Sequence, residues 1–156
     1  RYAVERTLIL RDATMLSVTS QAIVLGGALT AVAAVAHLAC IAIGPRAYRL
    51  MGAGERMARA AEAGRARPTL ITLAVASLLL VWAAYGFSGA GLIRPLPLTN
   101  LALPTISLIY LARAFAFPLL RPVFPENSTR FWWVSSGICL VLGLLYAVGA
   151  GTRFGV

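Results

Sequence analysis

Two ionisable side chains, His37 and Arg113, stand within long apolar stretches, and Tyr110 lies three residues before Arg113. A guanidinium in such a setting binds a phosphate or carboxylate, while an imidazole and a phenol supply further hydrogen bonds. Arg113, His37 and Tyr110 are therefore the candidate ligand-binding set, suited to a small anionic or lipid ligand. A plainer reading has Arg113 snorkelling to headgroups and His37 bonded to a neighbouring helix. One histidine cannot supply both axial ligands of a haem, and no carboxylate accompanies it at mid-membrane, so neither metal nor cofactor is expected. No acid/base pair or nucleophile with an evident base emerges, and no catalytic residue is assigned.

The remaining polar and small residues read as packing. Cys40 and Cys139 fall inside apolar spans, where a free thiol behaves as a small core residue, and there is no C-x-x-C pair. Ser135, Cys139, Gly143, Ala147 and Gly151 recur at spacing four, as do Ala22, Gly26, Thr30 and Ala34. Small-residue stripes let helices approach closely. Packing of the first helix against the last is the simpler use; a homo-oligomer face is the alternative.

What must position these residues follows from where charge is missing. Of 156 residues, 60% are hydrophobic and 12% charged, and residues 13–45, 68–93, 95–112 and 131–152 carry no charge. Each stretch can hold an apolar span of about 18 to 20 residues. This excludes a water-soluble enzyme, a disordered tail and a disulfide-stapled secreted domain. The expected fold is all-α, a four-transmembrane-helix bundle with helices at about 18–43, 69–87, 98–118 and 131–150, forming one domain over residues 1–156. Gly44-Pro45 closes the first helix and Pro68 opens the second; Pro95 and Pro97 precede the third, and Pro118 marks its exit. Asn127 or Ser128 caps the fourth.

Fourteen basic residues, all arginine, give a formal charge of +9. Beside apolar spans this is membrane electrostatics rather than nucleic-acid binding. Arg46, Arg49, Arg56, Arg59, Arg65 and Arg67 fill the first connection, residues 46–67, and are read as contacts to anionic lipid headgroups. Glu55 with Arg59, and Arg59 with Glu62, have helical spacing, so a short interfacial helix is expected there. Adding Arg113, Arg121 and Arg130 gives nine arginines on one side, against Arg94, Arg153 and the three at Arg1, Arg6 and Arg11 on the other. By the positive-inside rule the first and third connections are cytoplasmic and both termini periplasmic. His37 and Arg113 then lie about 10 Å and about 7 Å from the cytoplasmic helix ends. Met15 is a candidate natural start, with residues 1–14 upstream of it.

Families of similar size are tested by their required residues. Small multidrug transporters need a membrane-embedded glutamate and lipoprotein signal peptidases two boundary aspartates, and both are missing. Three patterns remain: Met51-Gly52-Ala53-Gly54-Glu55, Ser88-Gly89-Ala90-Gly91 with Arg94-Pro95-Leu96-Pro97-Leu98, and Tyr110-Leu111-Ala112-Arg113. In these the chain resembles a group of small, uncharacterised four-span inner-membrane proteins of bacteria. It implies a bacterial inner-membrane location and one domain, and brings no activity. The function expected is that of a non-enzymatic accessory or homo-oligomeric membrane component, with membrane lipids, further copies or a larger complex as partners. A carrier or binder of an anionic or lipid ligand in a cytoplasm-facing cavity is the alternative, and a lipid-modifying enzyme the second.

Overall fold

The computed structural model describes the backbone of residues 2–151 and the side chains of residues 18–151. The side chains of the N-terminal tract, that of the candidate start Met15 among them, and all of Arg153 lie outside those described residues. Among the described residues seven helices follow one another: α1 (Tyr2–Ile43), α2 (Pro45–Leu50), α3 (Glu55–Glu62), α4 (Ala66–Gly89), α5 (Thr99–Phe115), α6 (Phe117–Leu120) and α7 (Thr129–Gly151). No strand occurs among the described residues.

Among the described residues three helices are long and apolar enough to cross a membrane: Val18–Ile43 within α1, α4, and α7, with mean hydropathies of 2.1, 2.1 and 1.9. Their outward faces carry Val32, Val35, Leu70, Val81, Val134 and Val148 in exposed positions. An apolar exterior of this kind is at home in lipid. The expected helix over 98–118 is interrupted. α5 ends at Phe115, and a separate turn, α6, carries Pro118 near its start. Proline has no N–H to offer the carbonyl four residues back, so the helix breaks and restarts there.

α1 packs against α4 and α7, and α5 against α7 and α4, which closes a ring of four helices. Close approach depends on glycine. A Cβ on Gly86 would stand 2.9 Å from the Gly27 Cα, and one on Gly143 would stand 2.7 Å from the Leu111 Cγ. Gly26 likewise lies under Leu145 and Tyr146. Gly26 of the first stripe thus meets α7 and Gly143 of the second meets α5, while the Gly27–Gly86 crossing of α1 and α4 belongs to neither stripe. The core between the helices holds Ile23, Leu103, Ile106, Leu142 and Tyr146.

Each end of the ring has its own wiring. At one end, Ser88 Oγ accepts the Leu96 N–H at 2.8 Å, Thr99 Oγ1 donates to the Leu96 carbonyl at 2.7 Å, and Tyr85 OH donates to the Pro97 carbonyl at 3.2 Å. These bonds hold the loop while Leu98 takes a φ of 58°, unusual for a branched side chain. At the other end two connections meet. Gly52, at φ 70°, lies directly beneath the Phe131 ring, and its carbonyl accepts Asn127 Nδ2 at 3.1 Å. Ser128 Oγ accepts the Phe131 N–H at 3.1 Å and caps α7.

Candidate functional site

Tyr110 turns to the centre of the ring, where hydroxyls from three helices meet. Its OH is 3.3 Å from Thr30 Oγ1, which lies 3.4 Å from Tyr146 OH. Tyr146 OH is also 3.0 Å from the Trp82 carbonyl, which can only accept, so the Tyr146 proton goes there. The Thr30 hydroxyl then bridges the two phenol oxygens. Thr30 and Tyr146 are completely buried, and the Tyr110 ring packs edge-on to Trp82 with centroids 5.2 Å apart. Nearby, Ser107 Oγ donates to the Gly143 carbonyl at 2.8 Å. Every hydroxyl in this cluster has a partner within the protein.

Arg113 faces a different neighbour, α7. Its Nη2 donates to Ser135 Oγ at 3.1 Å, and its guanidinium carbon stands 5.5 Å from the centre of the Trp132 ring. That satisfies only part of the group. Arg113 Nη1 is buried without a hydrogen-bond partner, as are Trp132 Nε1 and Ser136 Oγ. Trp132 and Ser136 are one turn apart on α7. Both line a groove of about 380 Å³ whose other walls include Ala114, Phe117, Gly137 and Leu140. Among the described residues the ion pairs engage only Arg49 and Arg59, so no carboxylate balances Arg113. Two of these three donors, on Trp132 and Ser136, thus belong to residues lining a mostly apolar groove, and the third sits on the cation stacked against Trp132.

His37 has a third set of neighbours. Its Nδ1 lies 2.7 Å from the Ala33 carbonyl, and the ring lines a crevice of about 160 Å³ with Cys40, Tyr48, Met51, Met57 and Thr72. The three expected ligand residues thus have separate surroundings: Tyr110 the ring centre, Arg113 the α5–α7 contact, His37 the space beneath the first connection. Ser135 and Trp132 complete the Arg113 surroundings.

The six arginines of the first connection are all exposed. Arg49 binds Glu55 at 2.9 Å and Glu62 at 2.8 Å, joining α2 to α3, and Arg59 binds Glu55 at 3.2 Å. The expected Arg59–Glu62 contact gives way to Arg49, which approaches from α2. Hydrogen bonds from Arg49 and then Arg59 hold the Glu55 carboxyl well below its ordinary range, at about 2. Arg46, Arg56, Arg65 and Arg67 enter no ion pair with described residues and keep their charge for the surroundings. In the helix-packing set, Ser135 serves Arg113, Cys139 packs partly buried against the core, and Ala147 is half-buried on α7.

Comparison of the chain with protein-family models, with curated proteins and with solved structures finds no match.

Proposed function

We propose that the chain is a non-enzymatic, four-span component of a bacterial inner membrane that holds an anionic amphiphile, a lipid with a phosphate headgroup, between α5 and α7. The observation that carries this reading is the set of unpartnered buried atoms on Arg113, Trp132 and Ser136, with no carboxylate to balance the guanidinium. A buried donor left bare costs about 1 to 3 kcal/mol. A phosphate offers several acceptor oxygens and the missing charge at once, and the apolar walls of the groove suit an acyl chain.

The fourth crossing is α5. It starts from the loop wired to Ser88 at the end of α4 and leads to the segment that touches Gly52, near the start of α4. Its 17 residues extend about 25 Å at 1.5 Å each, a little short of a hydrocarbon core of about 30 Å. The exposed, unpaired Arg46, Arg56, Arg65 and Arg67 support placing the first and third connections in the cytoplasm and both termini in the periplasm.

Native mass spectrometry of the gently extracted protein tests the reading. The wild type is expected to retain phosphatidylglycerol or cardiolipin in preference to phosphatidylethanolamine. Arg113→Gln loses that preference, and Arg113→Lys keeps part of it. Equal retention by wild type and Arg113→Gln, with unchanged helix content, would overturn it.

A further inference from the structure

We propose that the crevice beneath the first connection is a binding site for a soft monovalent metal ion, Cu(I), with Cys40 Sγ, Met51 Sδ, Met57 Sδ and His37 Nε2 as its donors. The site is separate from the Arg113 groove and stands or falls independently of the lipid reading. The chain contains one histidine, two cysteines and three methionines. Four of these six residues line a single crevice of about 160 Å³, alongside Tyr48 and Thr72.

Three elements bring them together. His37 and Cys40, three residues apart, share a face near the end of α1, Met51 follows α2, and Met57 lies on α3. Folding of Ala47, Tyr48 and Ala58 against Cys40 presses the first connection onto α1, which carries both methionines to the crevice.

The donor chemistry selects the ion. No group of three or more histidine, cysteine, aspartate or glutamate side chains occurs among the described residues, so a zinc or calcium site is not formed. Two thioethers, a thiolate and an imidazole are instead the soft set that favours Cu(I).

The histidine is also prepared for the task. A carbonyl can only accept, so the 2.7 Å contact with Ala33 puts a proton on Nδ1, and in the neutral ring the lone pair is then on Nε2. A backbone carbonyl fixing the far nitrogen is the usual outer-shell arrangement of a ligating histidine. Binding forms a Cu–Sγ bond and releases the thiol proton, with no change of oxidation state. Thiolate and Cu(I) sum to zero charge, which suits a site at the edge of a membrane span.

The test is anaerobic titration of Cu(I), kept reduced by ascorbate, into the full chain in detergent micelles against a chromogenic Cu(I) chelator. X-ray absorption then identifies the ligands. One copper per chain is expected, with sulfur scatterers dominant. Met51→Leu with Met57→Leu conserves volume and should weaken binding by more than about tenfold, at least the loss that an outer-shell partner can cause. Cys40→Ala should do the same and abolish proton release, whereas Cys139→Ala should leave binding unchanged. Helix content and Tm measured without metal confirm that each variant is folded, and a silver(I)-dependent rise in Tm gives a second readout of the same site. Failure of the wild type to hold copper against the chelator overturns the proposal. So does wild-type affinity in both the double methionine variant and Cys40→Ala, or loss of binding in Cys139→Ala.

Discussion

The ring centre and the α5–α7 contact are built from similar materials, hydroxyls and aromatic rings between packed helices, yet they differ in completeness. At the centre, Thr30, Tyr110 and Tyr146 satisfy one another and the Trp82 carbonyl. At the contact, Arg113 reaches one serine and one ring face, while its own Nη1, Trp132 Nε1 and Ser136 Oγ go without. A self-satisfied polar cluster ties helices together and needs nothing further. An incomplete one leaves donors whose partners must be sought beyond the side chains around them, in water, an ion or a ligand. Under the proposed function the first region is accordingly structure and the second the lipid-binding site.

Substitutions can break this contrast, beginning with the most damaging. Gly86→Val should be the most destructive, because its Cβ alone would stand 2.9 Å from the Gly27 Cα and 3.0 Å from Tyr146 OH. Backbone must move, at a cost of about 1 to 3 kcal/mol or more. The expected result is a large fall in Tm in detergent, with the α1–α4 contact opened. Tyr146→Phe removes the hydroxyl at the centre and should cost about 1 kcal/mol, read in the same Tm measurement, with lipid retention intact. Ser136→Ala should lower lipid retention modestly without lowering Tm, since it deletes a polar atom that has no partner inside the protein.

The smallest effect belongs to the exposed ion pairs of the first connection. The Glu55 carboxyl is depressed to about 2, so its contribution is complete above the ordinary carboxylate range near 4.5 and fades as pH falls towards 2. Hydrogen exchange over residues 45–65 should therefore speed up between pH 5 and about pH 2 while α4 and α7 keep their protection. Glu55→Gln should show the faster exchange already at pH 7. High salt should weaken the wild-type protection, because these side chains are solvent-exposed.

The positions of the long helices could be read from the absence of charge, and their ends from Gly44-Pro45, Pro68 and Ser128. The third helix was less legible. Its apolar run continues past Ala116, and only the Pro118 backbone divides it. Depth along a helix also follows from counting residues, which set His37 and Arg113 at similar levels. Direction around the helix does not follow from such counting. It depends on which helices are neighbours, and that is decided by close approaches such as Gly27 with Gly86, formed between residues 59 positions apart. For the same reason the crevice holding Met51 and Met57 could not be seen in advance. It exists because α2 and α3 fold back beneath α1. The motif Met51-Gly52-Ala53-Gly54-Glu55 does gain a physical meaning: Gly52 receives Phe131 and Asn127, Gly54 lies under Phe124, and Glu55 gathers two arginines.

The contrast between a finished centre and an unfinished contact is tested most directly by lipid-dependent thermal unfolding. Phosphatidylglycerol or phosphatidylcholine is added in turn to the delipidated wild type, Arg113→Gln and Tyr146→Phe. A ligand that binds only the folded state raises stability by about 2.7 kcal/mol at a hundred times its dissociation constant. Phosphatidylglycerol should raise the Tm of the wild type and of Tyr146→Phe by the same amount, and leave Arg113→Gln no higher than phosphatidylcholine does. An equal rise in all three proteins, or none in the wild type, would contradict the assignment of Arg113 and its neighbours to an anionic lipid.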